Sequence, residues 1–124
     1  MSGELILIVE DNEKNLKLVR DLLQVKGYRT VESETAEEGL RLAREAGPKL
    51  ILMDIQLPGM NGIDALKHLR ADPETKHIPV MAVTASAMSQ DKEEIMAAGF
   101  DGYHRKPLEI KEFLEAVRQT LDKT

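Results

Sequence analysis

Cysteine and tryptophan are absent from this chain of 124 residues, and tyrosine and phenylalanine occur only twice each. The lack of cysteine excludes a disulfide framework, a thiolate zinc site and a cysteine nucleophile, and it fits a reducing compartment. With so few aromatics, the core must be built from Leu, Ile, Val, Met and Ala. No apolar run approaches the roughly 20 residues that a membrane-spanning helix needs. Basic runs are missing too. Lysines and arginines are scattered among acids, and the net charge of −5 argues against a general affinity for nucleic acid or membrane. Met1-Ser2-Gly3-Glu4 leads straight into an apolar run, so no signal peptide is expected and the location should be cytoplasmic. Low-complexity tracts, internal repeats and linkers are likewise missing. What remains is 42% hydrophobic and 31% charged, the balance of a single globular domain over residues 1–124. At this length it should bury roughly two-thirds of its unfolded surface.

The chain is organised around Leu50-Ile51-Leu52-Met53-Asp54, four apolar residues that stop at an acid. A continuous apolar run bounded by turn residues suits the central strand of a parallel sheet, covered on both faces. An aspartate at the carboxyl end of such a strand lies where open α/β sheets place their ligand sites.

Taken in order, residues 4–9 form a first apolar strand that ends in Glu10-Asp11, with Asn12 following. Leu16, Val19, Leu22 and Leu23 recur at helical spacing, and Gly27 closes that helix. Residues 28–32 predict a short second strand. Thr35, three residues before Glu38, has the capping-box pattern that opens a second helix, ended by Gly47-Pro48. The loop 58–62 precedes a third helix carrying Ile63, Leu66 and Leu69, stopped by Asp72-Pro73. Residues 78–83 predict a fourth strand ending at Thr84, with Ser86 and Ser89 as candidate caps of a helix through Ile95 and Met96. A fifth strand over 101–105 leads into Lys106-Pro107. Ile110, Phe113, Leu114, Val117 and Leu121 mark the final helix by their 3.6-residue period.

Five strands alternating with five helices imply an α/β fold, a doubly wound parallel sheet with right-handed crossovers. No G-x-G-x-x-G follows the first strand and no P-loop appears, so a dinucleotide or P-loop fold is not favoured. The flavodoxin-like (βα)5 order 2-1-3-4-5 is preferred, and it sets Glu10 and Asp11 beside Asp54. Strands 1, 3 and 4 then bring Glu10, Asp11, Asp54 and Thr84 to one edge, and Lys106 joins them. Three carboxylates in a partly desolvated cleft repel one another, and a hard divalent cation such as Mg²⁺ makes the cluster tolerable. Thr84 and Lys106 remain to hold other phosphoryl oxygens, the makings of a phosphoryl-transfer site with Asp54 as nucleophile. His68, His77 and His104 lack any ligand-like spacing.

Val9-Glu10-Asp11-Asn12-Glu13, Leu50 through Pro58, Ile78-Pro79-Val80, Val83-Thr84-Ala85 and Lys106-Pro107, in this order and spacing, resemble the receiver domains of two-component response regulators. The likeness covers nearly the whole chain and is strongest to stand-alone DivK-type regulators. It implies Asp54 as the phosphoacceptor, served by a histidine kinase or histidine phosphotransfer protein. It also implies Asp11 as a direct Mg²⁺ ligand, Glu10 acting mainly through metal-bound water, and the Gln56 backbone carbonyl as a further ligand. Thr84 and Lys106 would bind phosphoryl oxygens, and Thr84 and Tyr103 would form the switch. The Lys106-Pro107 bond is expected to be cis. Gln56 and Ser86 hold the positions where families differ in phosphoryl lifetime.

The final helix leaves three residues after Leu121, so output is expected through protein contact on the face of helix 4, strand 5 and helix 5. A receiver cut from a longer hybrid kinase or effector is the alternative. Two rivals are a metal-dependent phosphohydrolase and a phosphorylation-independent adaptor. The hydrolase would need a second acid two residues after Asp54, where Gln56 stands; the adaptor would lack an acid, the Thr or the Lys, and none is missing.

Overall fold

Two hydrophobic layers sandwich one sheet, and the period-two alternation of its strands decides which residue enters which layer. The computed structural model describes residues 3–85 and 89–123, and for 89–91 the backbone alone. The elements are β1 (Leu5–Val9), α1 (Glu13–Val25), β2 (Arg29–Ser33), α2 (Ala36–Ala46), β3 (Leu50–Asp54), α3 (Gly62–Ala71), β4 (Val80–Thr84), α4 (Ser89–Ala97), β5 (Gly102–Arg105) and α5 (Ile110–Asp122). The strands are parallel throughout and lie in the order β2-β1-β3-β4-β5. That is the expected flavodoxin-like arrangement.

Leu7, Val9, Ile51, Met53, Val80 and Ala82 face one layer, closed by α2, α3 and Ile95 of α4. Ile6, Ile8, Leu50, Leu52 and Met81 face the other, closed by α1 and by Phe113, Val117 and Leu121 of α5. Both faces of β3 are therefore covered, which is why it reads as an unbroken apolar run. Its last residue is the exception, a buried carboxylate.

Helix starts follow the local chemistry. Asn12 Oδ1 accepts from the Lys14 and Asn15 amides, and Asn61 Oδ1 from that of Asp64. The box expected at Thr35 forms on one side only. Thr35 Oγ1 accepts from Glu38 N at 3.2 Å, whereas Thr35 N donates to Ser33 Oγ.

Several boundaries differ from the expectations. β4 begins at Val80, not Ile78, because the Ile78 amide donates back to Thr75 O and Pro79 has no N–H to give. β2 begins one residue late, since Tyr28 N closes the end of α1 on Leu23 O. Ser89 is the first residue of α4 rather than its cap, and Ser86 lies outside the described residues. On α5, Phe113, Val117 and Leu121 are buried, but Ile110 in the first turn stays 47% exposed.

Candidate functional site

The topology delivers the site. β1 and β3 are neighbours, Val9 pairing with Met53, so Glu10 emerges beside Asp54 at the carboxyl edge. β4 ends next door at Thr84, and the chain leaving β5 is tied to it by the Lys106 amide donating to Thr84 O at 2.8 Å. Glu10 and Asp54 are each 4% exposed, and Thr84 is fully buried. Asp11 is exposed. One carboxylate oxygen from each of Glu10, Asp11 and Asp54 lies within 4.8 Å of the others, a grouping that could hold a metal ion.

The two buried carboxylates are pinned. Asp54 Oδ1 accepts from the Gln56 amide at 2.9 Å, and Asp54 Oδ2 accepts from Lys106 Nζ at 3.1 Å. Glu10 Oε2 accepts from the Asn12 amide, and Lys106 Nζ stands 2.7 Å from Glu10 Oε1. The ammonium thus bridges two buried acids.

The charges register the crowding. Burial, and then the neighbouring Asp54 carboxylate, push Glu10 up from its ordinary 4.5 to about 7, against the opposing pull of Lys106. Burial pulls the Lys106 ammonium down, but its bond to Glu10 and the charges of Asp54 and Glu10 outweigh that, and the net shift is upward. One cation does not neutralise three acids. A hard dication fits this donor set: all oxygen, one ligand exposed and two buried.

Close approach of the backbone shapes the floor of the site. Gly62 opens α3 against the end of β3, its amide donating to Ile55 O at 3.0 Å. A Cβ there would stand 2.7 Å from the Asp54 carbonyl oxygen and 2.9 Å from Ile55 Cα. Sequence reading placed Gly62 only in a loop. Its packing role is invisible without knowing that α3 starts on top of the end of β3. The same holds for the Glu10–Lys106 contact, which joins residues far apart in the chain.

The other named positions fall as follows. Gln56 is exposed, with its amide turned to Asp54. Tyr103 lies on β5 in register with Ala82, half-buried against the layer that holds Ile95. The Lys106-Pro107 peptide is cis. His104 packs edge-on against Phe113, His68 lies on α3 and His77 before β4, three separate places.

A family model described as the response regulator receiver domain matches residues 6–118. The chain belongs to that family. This receiver is 48% identical over 116 residues to the polar-differentiation response regulator DivK of Brucella ovis, covering 94% of each chain. Among solved structures it is similar to the receiver domain of a sensor histidine kinase of Pseudomonas aeruginosa, with a TM-score of 0.90 and 30% identity. The match covers 98% of this chain and 99% of that one, and that protein has a magnesium ion coordinated in its active-site cleft. The chemotaxis protein CheY4 of Vibrio cholerae is also similar, with a TM-score of 0.87 and 25% identity over 96% of this chain and 99% of that one. No described helix of the receiver is long and apolar enough to cross a membrane.

Proposed function

We propose that residues 1–124 form a single receiver domain that works as a cytoplasmic phosphorelay switch. It takes a phosphoryl group onto Asp54 from a histidine kinase or a histidine phosphotransfer protein, with Mg²⁺. The observation that carries this reading is the Asp54 carboxylate itself, buried at the end of the central strand and held at 3.1 Å by the Lys106 ammonium.

Glu10, Asp11, Asp54 and the Gln56 backbone carbonyl would hold the cation, Glu10 mainly through bound water. The cation would neutralise charge on the transferring group. The chain's own residues do the positioning. The Gln56 amide and Lys106 fix the two Asp54 oxygens, so one of them can approach the phosphorus of a phosphohistidine donor in line. The new O–P bond forms as the P–N bond breaks, and the imidazole leaves with the electron pair and takes up a proton. Lys106 and the Thr84 hydroxyl then hold phosphoryl oxygens of the acyl phosphate.

Turnover beyond this self-modification should be slow. Gln56 offers an amide where a hydrolase has a second acid, so no side chain there can act as a proton donor or base. Phosphorylation replaces one carboxylate charge by about −1.5 to −2 and adds acceptor oxygens. Thr84 moves toward them, and the bulky Tyr103 one strand over fills the space vacated behind β4. The α4-β5-α5 face then changes shape for a downstream protein partner, and the unphosphorylated form samples that shape as a minor state.

Amide NMR with and without a phosphoryl analogue on Asp54 tests the switch. Shifts are expected across residues 92–122 as well as around Glu10 and Asp54. Shifts confined to those two loops would contradict it. A phosphotransfer profile against candidate kinases identifies the donor.

A further inference from the structure

α4 packs against β5, and along that contact Lys92 places its ammonium over the ring of Tyr103, 5.7 Å from the centroid. That distance is within the range where a cation is attracted to the negative face of an aromatic ring. Lys92 is exposed, and it forms no ion pair among the described residues even though Glu93 and Glu94 follow it directly. Among the described residues its partner is the ring. Tyr103 is half-buried, packed on one side against the layer that holds Ile95 of the same helix.

The contact exists only while the ring stays where it is. If Tyr103 swings inward behind β4, the ring leaves the ammonium and the attraction is lost. The cation therefore favours one ring placement over the other, which is the differential interaction that a two-state bias requires. An exposed cation–ring contact changes such an equilibrium by about two- to five-fold.

We propose that Lys92 is a positioning residue that holds Tyr103 in the unphosphorylated placement and so sets how readily this receiver switches. The inference rests on the reading of Tyr103 as the switch residue. Lys92 touches neither Asp54 nor the acids around it, so its removal changes the balance between the two forms and not the chemistry at the acceptor.

The experiment is side-chain NMR of the full chain with ¹³C-labelled tyrosine, titrated with beryllium fluoride and Mg²⁺ as the phosphoryl probe. Wild type, Lys92→Met and Lys92→Arg are compared. Methionine keeps length and helix preference while removing the charge. In Lys92→Met, the Tyr103 ring signal should shift toward its beryllium fluoride-bound position before any probe is added, and the apparent affinity for the probe should rise about two- to five-fold. Lys92→Arg should restore wild-type behaviour, which a merely structural loss would not do. Ring movement in wild type, with identical populations and affinities in Lys92→Met, overturns the role of Lys92 alone. A ring signal that the probe leaves unmoved in wild type overturns the switch reading of Tyr103 and the Lys92 inference with it.

Discussion

Lys106 Nζ lies 2.7 Å from Glu10 Oε1, closer than its 3.1 Å approach to Asp54 Oδ2. One ammonium thus ties the residue after β1 to the chain leaving β5, with Asp54 as its second partner. Burial, and then the crowding Asp54 carboxylate, push Glu10 up to about 7 against the pull of Lys106.

The sign of the pH dependence follows. Unfolded Glu10 ionises near its ordinary 4.5, while the folded carboxyl stays protonated to about 7. Between those values the folded state binds more protons, so Glu10 makes stability fall as pH rises through this window. Urea unfolding of wild type and Glu10→Gln in metal-free buffer should diverge there, the wild type losing ground toward pH 7. Mg²⁺ favours the ionised acid, so its stabilising effect should be larger at pH 8 than at pH 5.5. Parallel profiles for the two proteins, or a Mg²⁺ effect that ignores pH, would contradict the cluster as described.

Lys106→Met should destabilise the metal-free protein at pH 8, where Glu10 is ionised, by about 1–3 kcal/mol, since two buried carboxylates lose their common counter-charge. The loss should shrink when Mg²⁺ is added. Denaturation with and without the cation measures both, and an equal loss in the two conditions would mean that Lys106 and the metal do not share the same charges.

Gly62→Ala probes the floor of the site. The added Cβ meets the Asp54 carbonyl and Ile55 Cα, and backbone atoms of a central strand cannot step aside as a flexible side chain can. A stability loss of about 1–3 kcal/mol is expected, with slower labelling of Asp54 because the acceptor strand is displaced. Ala at the neighbouring Asn61 removes an N-cap and should cost about 1 kcal/mol without that displacement. Equal labelling rates in the two variants would contradict the distinction.

Most of the fold could be read in the chain because its signals are local and mutually consistent. Thr35 caps where it should, and the runs at Leu5–Val9 and Leu50–Met53 are apolar because both faces of those strands are covered. The errors lie at element starts, where backbone hydrogen bonds or position in the first turn, not side-chain pattern, set the outcome. Ile78 is apolar enough for a strand, yet its amide is committed to Thr75. Ile110 fits the helical stripe, yet remains at the surface in the first turn. In the site, the acids and Thr84 announced themselves as polar residues at the ends of apolar strands, and Lys106 as the basic residue after the short fifth strand. Gly62 and Lys92 did not, because a close backbone approach and a cation over a ring depend on which elements become neighbours.

Phosphorylation at Asp54 is the claim on which the rest depends, and mass spectrometry of the intact and digested protein tests it most directly. Wild type and Asp54→Asn are incubated with acetyl phosphate or a phosphorylated histidine kinase, with and without Mg²⁺. The expected result is one phosphoryl group on the wild type, located at Asp54 and dependent on Mg²⁺, and none on Asp54→Asn. Retention of the label in Asp54→Asn, or full labelling of the wild type without the cation, would contradict it.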